Sequence, residues 1–180
     1  MKLEKVYIDK VWADEIFYAS ETIPNVVITA PAGVVFSAAS TIIGDATVAV
    51  MSCELSETAG EVTATVEFMV QEDLTVQIGA APGPDDFPLE YAFRFERDFI
   101  FQKLTLPADV NIENLACQAF RFQGTVEIEN VNLPEGGTTG SFDNFVTVMI
   151  KLKVTEGIQT FVALGTAPYV RETTVTVINP

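Results

Sequence analysis

Histidine is absent from this chain. That removes the commonest general base, the activating partner of serine and cysteine nucleophiles, and the commonest transition-metal ligand. Charge is also scarce: 19% of residues are charged, against roughly 25% in an ordinary soluble domain. What charge there is has one dominant sign, 25 acidic residues against 10 basic, for a formal charge of -15. Such a surface repels phosphate backbones and anionic headgroups. No cluster of cations interrupts it, because Arg94 and Arg97 are flanked by Glu96 and Asp98, and Lys151 and Lys153 stand alone. Nucleic-acid binding is therefore not expected. The excess charge keeps the chain soluble.

The chain has only two cysteines, Cys53 and Cys117. They are too few and too far apart for a zinc ribbon or a redox Cys-x-x-Cys. Three readings stay open: two buried thiols, one internal disulfide, or cross-links between subunits. The N-terminus, from Met1 through Lys5, leads into no apolar run of the kind a signal peptide needs, so synthesis and folding in the cytoplasm are expected. The longest uncharged run, Thr22 to Gly44, contains Pro24, Asn25, Pro31 and Gly33. It reads as two strands joined by a turn at Pro31-Ala32-Gly33, and no membrane insertion is expected.

What the chain has in abundance is Val, Ile, Thr and Phe, the side chains of a pleated, half-buried surface. From Val62 to Val70 the even-numbered residues are apolar and the odd ones mostly polar, which is a strand with a core face and a wet face. Tyr91, Phe93 and Phe95 repeat the pattern, as do Val126 and Ile128, the run from Val146 to Val154, and Val175 with Val177. Turn signals at Ser56–Gly60, Gly79–Pro88, Pro134–Gly140 and Gly165–Pro168 are spaced as in a sandwich or barrel. Two segments, Asp9–Tyr18 and Pro107–Leu115, are candidates for a short helix. The prediction is one all-β domain over residues 1–180, a two-layer antiparallel β-sandwich of jelly-roll-like or immunoglobulin-like type. Its ends, 1–28 and 169–180, are either extended arms or edge strands.

Four constellations bear on chemistry. Glu127 and Glu129 alternate with Val126 and Ile128 as solvent-facing residues do, whereas a catalytic acid needs burial to raise its pKa. Asp85-Asp86 lies in a Pro-rich loop without the alternating oxygen ligands of an EF-hand, so a solvated turn is the better reading. The glycine-rich stretch Pro134–Gly140 stands between strands, without the helix N-terminus or Lys of a phosphate loop, and reads as a flexible hairpin loop. Trp12, Phe17 and Tyr18 form an aromatic knot whose readings, in order, are core, a docking anchor for another subunit, and a sugar platform. No catalytic residue, cofactor or metal is expected.

From about Ala46 to Leu164 the chain resembles the SPOCS domain of spore-coat morphogenetic proteins in endospore-forming bacteria. The resemblance lies in Glu61–Val70, in Tyr91–Gln102 followed by Leu106-Pro107, and in Ala116–Phe120 continuing through the strands at Thr125–Val131 and Val146–Val154. The chain departs from that pattern in having no peptidoglycan-binding repeat and no second copy of the domain. The resemblance implies a non-enzymatic assembly module, here a single-domain subunit of a coat layer or spore-surface fibre. Copies of itself or other coat and surface proteins would be its partners, and deposition on the spore surface its destination. If it is a spore-surface protein, Cys53 or Cys117 is expected to cross-link the assembly. The other readings are a virion or phage-tail subunit and, in a different class, a carbohydrate- or calcium-binding β-sandwich module. For assembly the candidate residues are Trp12, Phe17, Tyr18, Val26, Val27, Ile28, Val175, Val177, Cys53 and Cys117, with strand addition to a neighbour's edge as the mode.

Overall fold

Alternating apolar side chains need a second layer to cover them, and the computed structural model shows two three-stranded layers doing this for each other. It describes the backbone of residues 2–164 and 177–178 and the side chains of 5–158. Six long strands, β1 (Lys2–Thr29), β2 (Thr41–Thr58), β3 (Glu61–Gln77), β4 (Phe87–Ile100), β5 (Leu115–Asn132) and β6 (Thr139–Leu164), are followed by a short β7 (Val177–Ile178). One sheet has the order β1-β6-β5 with β7 on β6, the other β2-β3-β4, and every pairing is antiparallel. The two-layer antiparallel sandwich is thus as the alternation implies. Its route is simple: β1 enters one sheet, β2-β3-β4 meanders through the other, and the β5-β6 hairpin returns to pair with β1.

The central strands β3 and β6 face each other across the core. Val62, Ala64, Val66, Phe68 and Val70 meet Val146, Val148, Ile150, Leu152 and Val154 in one apolar cluster. Phe68 stacks on Phe95 at 5.0 Å and on Phe122 at 5.9 Å, and meets Phe99 edge-on at 6.4 Å, so one ring touches β4 and β5 together. Phe93 is only half-buried. A second cluster gathers Val26, Ile28, Phe36, Leu74, Val76 and Phe142 at the other end.

Two seams close the sandwich. Along β2 and β5, Cys53 and Cys117 form a disulfide with Cα atoms 5.6 Å apart. A Cβ on Gly124 would stand 2.7 Å from the Val48 Cβ, so the strands approach where only glycine fits. Along β1 and β4, Phe17 packs on Phe99 at 5.1 Å, Arg97 pairs with Glu21, and the Glu15 carboxylate accepts the Lys103 N–H at 3.0 Å.

Several expectations are corrected. Asp9–Tyr18 is strand, not helix, and lies within β1. In Pro107–Leu115 only a 3-10 turn forms, at Ile112–Asn114. The turn at Pro31–Gly33 does not join two strands of a hairpin, because β1 and β2 belong to different sheets. The Pro134–Gly140 loop does join β5 to β6, yet it is stitched to the 30–36 crossover: Phe36 N–H donates to the Gly137 carbonyl at 2.9 Å and Gly136 N–H to the Phe36 carbonyl at 2.8 Å. The cysteines are joined within the chain, so the expected cross-link between subunits through either thiol has no sulfur left to form it. The Gly165–Pro168 turn lies outside the described residues, as does most of 169–180.

Candidate assembly surface

The ends of β1 and β6 outrun the sandwich. β5 pairs with β6 only as far as Leu115 opposite Glu156, whereas β1 and β6 stay paired from Val11 opposite Thr155 to Lys2 opposite Leu164. What results is a two-stranded ribbon, touched by β7 at Phe161 and Val162. The first buried residue of β1 among those described is Ala13. Before it, Tyr7 is 76% exposed, Ile8 40% and Val11 52%. An amphipathic strand hides its apolar face against its own core; among the described residues, neither apolar cluster includes any residue of 2–11.

The residues singled out for assembly divide between ribbon, core and surface. Trp12 stands at the base of the ribbon, half-buried, its Nε1 donating to Glu156 at 3.0 Å, with Lys10 Nζ 3.4 Å from the ring centroid. Phe17 is a core residue of its own subunit, its ring 5.3 Å from Phe101 as well as against Phe99. Tyr18 points outward, 74% exposed, beside a hollow lined also by Ser20, Phe145 and Thr147. Val26 and Ile28 are buried inside the second apolar cluster, and Val27 between them is exposed. The 26–28 segment therefore completes its own sheet, and the part of β1 that reaches beyond it is 2–11. The backbone of Val177 pairs with Val162 of the same chain, and Val175 lies outside the described residues. Cys53 and Cys117 serve the inter-sheet seam.

Glu127 and Glu129 are exposed on β5. Asp86 caps its own loop, one oxygen accepting Ile78 N–H at 2.8 Å and the other Gly83 N–H at 2.9 Å. Among the described residues, no three His, Cys, Asp or Glu side chains are grouped to hold a metal ion.

Two features escaped sequence reasoning. Glu72 is 1% exposed, between the two apolar clusters and facing Asn144 of β6. Burial pushes its carboxyl above the ordinary range and the Asn144 amide draws it partway back, although the two fall short of hydrogen-bond geometry. Its place on the core side of β3 was readable from its even number, but the polarity of the residue conceals it. Asp143 accepts the Asn25 N–H at 2.8 Å and Asn130 Nδ2 at 2.7 Å. Both partners have positive φ, at irregular points of the flanking strands, so one carboxylate pins both neighbours. These hydrogen bonds hold the Asp143 carboxyl below its usual range.

No family model, no curated protein and no solved structure matches the chain.

Proposed function

We propose that this chain is a non-enzymatic structural subunit that assembles with copies of itself through the β1-β6 ribbon. The observation that carries this reading is the ribbon itself, a strand pair that runs on beyond β5 and whose β1 half exposes Tyr7, Ile8 and Val11. Strands of this kind gain affinity by backbone pairing at a neighbour's edge, with alternate side chains setting the register. The resemblance to spore-coat modules supports a coat layer or spore-surface fibre as the setting. The internal disulfide suits a protein that ends in an oxidising exterior.

Negative-stain microscopy and light scattering over a concentration series test the reading. The wild-type chain is expected to form polymers. Deleting residues 1–11 is expected to leave a folded monomer, because the segment ends before Trp12 and Ala13 begin to contact the core. Wild-type protein that remains as single small particles at high concentration overturns the proposal. So does a deletion variant that polymerises like the wild type.

A further inference from the structure

The interior of the sandwich is not apolar throughout. Between its two clusters lies a polar layer made by Glu72 of β3 and Asn144 of β6, which are 1% and 0% exposed. In register, Glu72 stands between Ala46 of β2 and Tyr91 of β4, and Asn144 between Ile23 of β1 and Ile128 of β5. Along their own strands the core-side neighbours are Val70 and Leu74 for Glu72, and Phe142 and Val146 for Asn144, all buried. The titratable group beside Glu72 is therefore Tyr91. Further along the core side, Glu21 opposite Val146 is already paired with Arg97 at the seam. Among the described residues Glu72 forms no ion pair.

Among the described residues, neither carboxyl oxygen of Glu72 and neither polar atom of Asn144 has a hydrogen-bond partner. A buried polar group without a partner carries its whole desolvation cost, and native interiors meet that cost with protein groups or with ordered water. The layer has room on the β2 side, where Ala46 is opposite Glu72 and Gly44 is opposite Leu74. A buried water needs two to four polar partners, and these two side chains present four polar atoms. A metal ion is poorly served. Only three oxygens are on offer, two from Glu72 and one from Asn144, whereas a hard cation such as calcium takes about six to eight.

We propose that an internal water molecule bridges the two sheets here, hydrogen-bonded to a carboxyl oxygen of Glu72 and to the side-chain amide of Asn144. Burial favours the neutral carboxyl, which donates its O–H to the water, and the water donates in turn to Asn144 Oδ1. A water-mediated bond is nearly as favourable in enthalpy as a direct one. It links the central strands at the level where apolar contact between them is interrupted. Both apolar clusters close the site off from bulk solvent, so the water exchanges only when the sheets part.

The test is nuclear magnetic resonance on the isotope-labelled wild-type chain at mildly acidic pH. A rotating-frame Overhauser cross-peak is expected between water and the Asn144 Nδ2 hydrogens, with the sign of a long-lived dipolar contact. E72Q is expected to keep it, because the amide can both donate and accept, and E72L/N144L to lose it. In thermal melts N144L alone should fall by several degrees, since it leaves the Glu72 carboxyl with no partner across the layer. E72L/N144L should melt at least as high as N144L. Should the leucine variants fail to fold, a high-resolution crystal structure of the wild type decides, with one ordered water expected within about 3.2 Å of both side chains. Glu72 bonded directly to Asn144 in that structure, or an Asn144 amide without the water cross-peak, overturns the proposal. Melting midpoints in sodium, potassium and choline chloride at equal ionic strength are expected to agree. A rise specific to one metal cation would identify an ion in place of the water and would also overturn it.

Discussion

Glu72 and Asn144 face each other where the two apolar clusters meet, and the raised carboxyl has a direction in pH. Its charged form is penalised only in the folded state. The stability it allows is therefore fully present below the ordinary carboxylate pKa and is lost as pH rises through the raised folded value. Glu72→Gln is expected to gain on the order of 1–3 kcal/mol at pH 7, with the gain shrinking toward pH 4. Thermal melts at both pH values check this, and a gain equal at both would show that the charge is not the cause. Asp143 has the opposite sign. Its lowered carboxyl contributes stability above the ordinary range that is lost as pH falls through the folded value, so Asp143→Asn should melt lower at pH 7 and lose that acid limb. Phe68 has no titration, only contact. Truncation to Ala empties the site where three other phenylalanine rings meet and should cost about 3–5 kcal/mol by denaturant unfolding.

Among the elements, the β2-β3 hairpin turns on Ala59 at φ 54° and Gly60 at φ 84°, the paired left-handed conformations of a tight hairpin. Glycine adopts this freely, whereas alanine does so at a cost of about 1–2 kcal/mol. Ala59→Asn is expected to recover about 1 kcal/mol, visible as a higher denaturation midpoint with an unchanged slope. The seam between β2 and β5 is governed by chain entropy. A disulfide across a separation of 64 residues contributes about 4 kcal/mol in the loop-closure estimate, so Cys53→Ala should lose that much, as should reduction of the wild type. These elements also show what was legible beforehand. β3, β4 and β6 could be read because their alternation holds over Val62–Val70, Tyr91–Phe95 and Val146–Val154. β1 could not: between Val11 and Ala13 an extra residue shifts the register, and another irregularity falls between Ile23 and Val26. Each shift turns the following side chains to the other face, so a period of two looks aperiodic and Asp9–Tyr18 resembled a weak helix. The disulfide was illegible for a different reason. Its partners meet only once two sheets stack, and nothing local to Cys53 or Cys117 records that.

At the scale of the whole molecule, both sheets are acidic, β1-β6-β5 with nine carboxylates against six cations and β2-β3-β4 with ten against two, and among the described residues the ends of β1 and β6 run on beyond the sandwich from the less acidic one. The aromatic knot was legible as a group, but its members have separate fates: Phe17 is core, Trp12 marks the base of the ribbon, and Tyr18 faces outward. Apolar character alone could not separate them, because β1 passes from unsupported ribbon to covered sheet within a few residues. The ribbon also determines how a pull on the molecule is borne. Its free end is the start of β1 and the end of β6, joined by pairings that run from Lys2 opposite Leu164 to Thr29 opposite Thr139. Tension applied to β1 there and resisted by β6 within the sandwich would slide the two strands along their length. Many hydrogen bonds would share that load at once, instead of opening one after another as in a zipper. A force spectroscope gripping β1 at its first residues and the sandwich at β3 should therefore record one high rupture event, and a staircase of small ones would show that the ribbon peels.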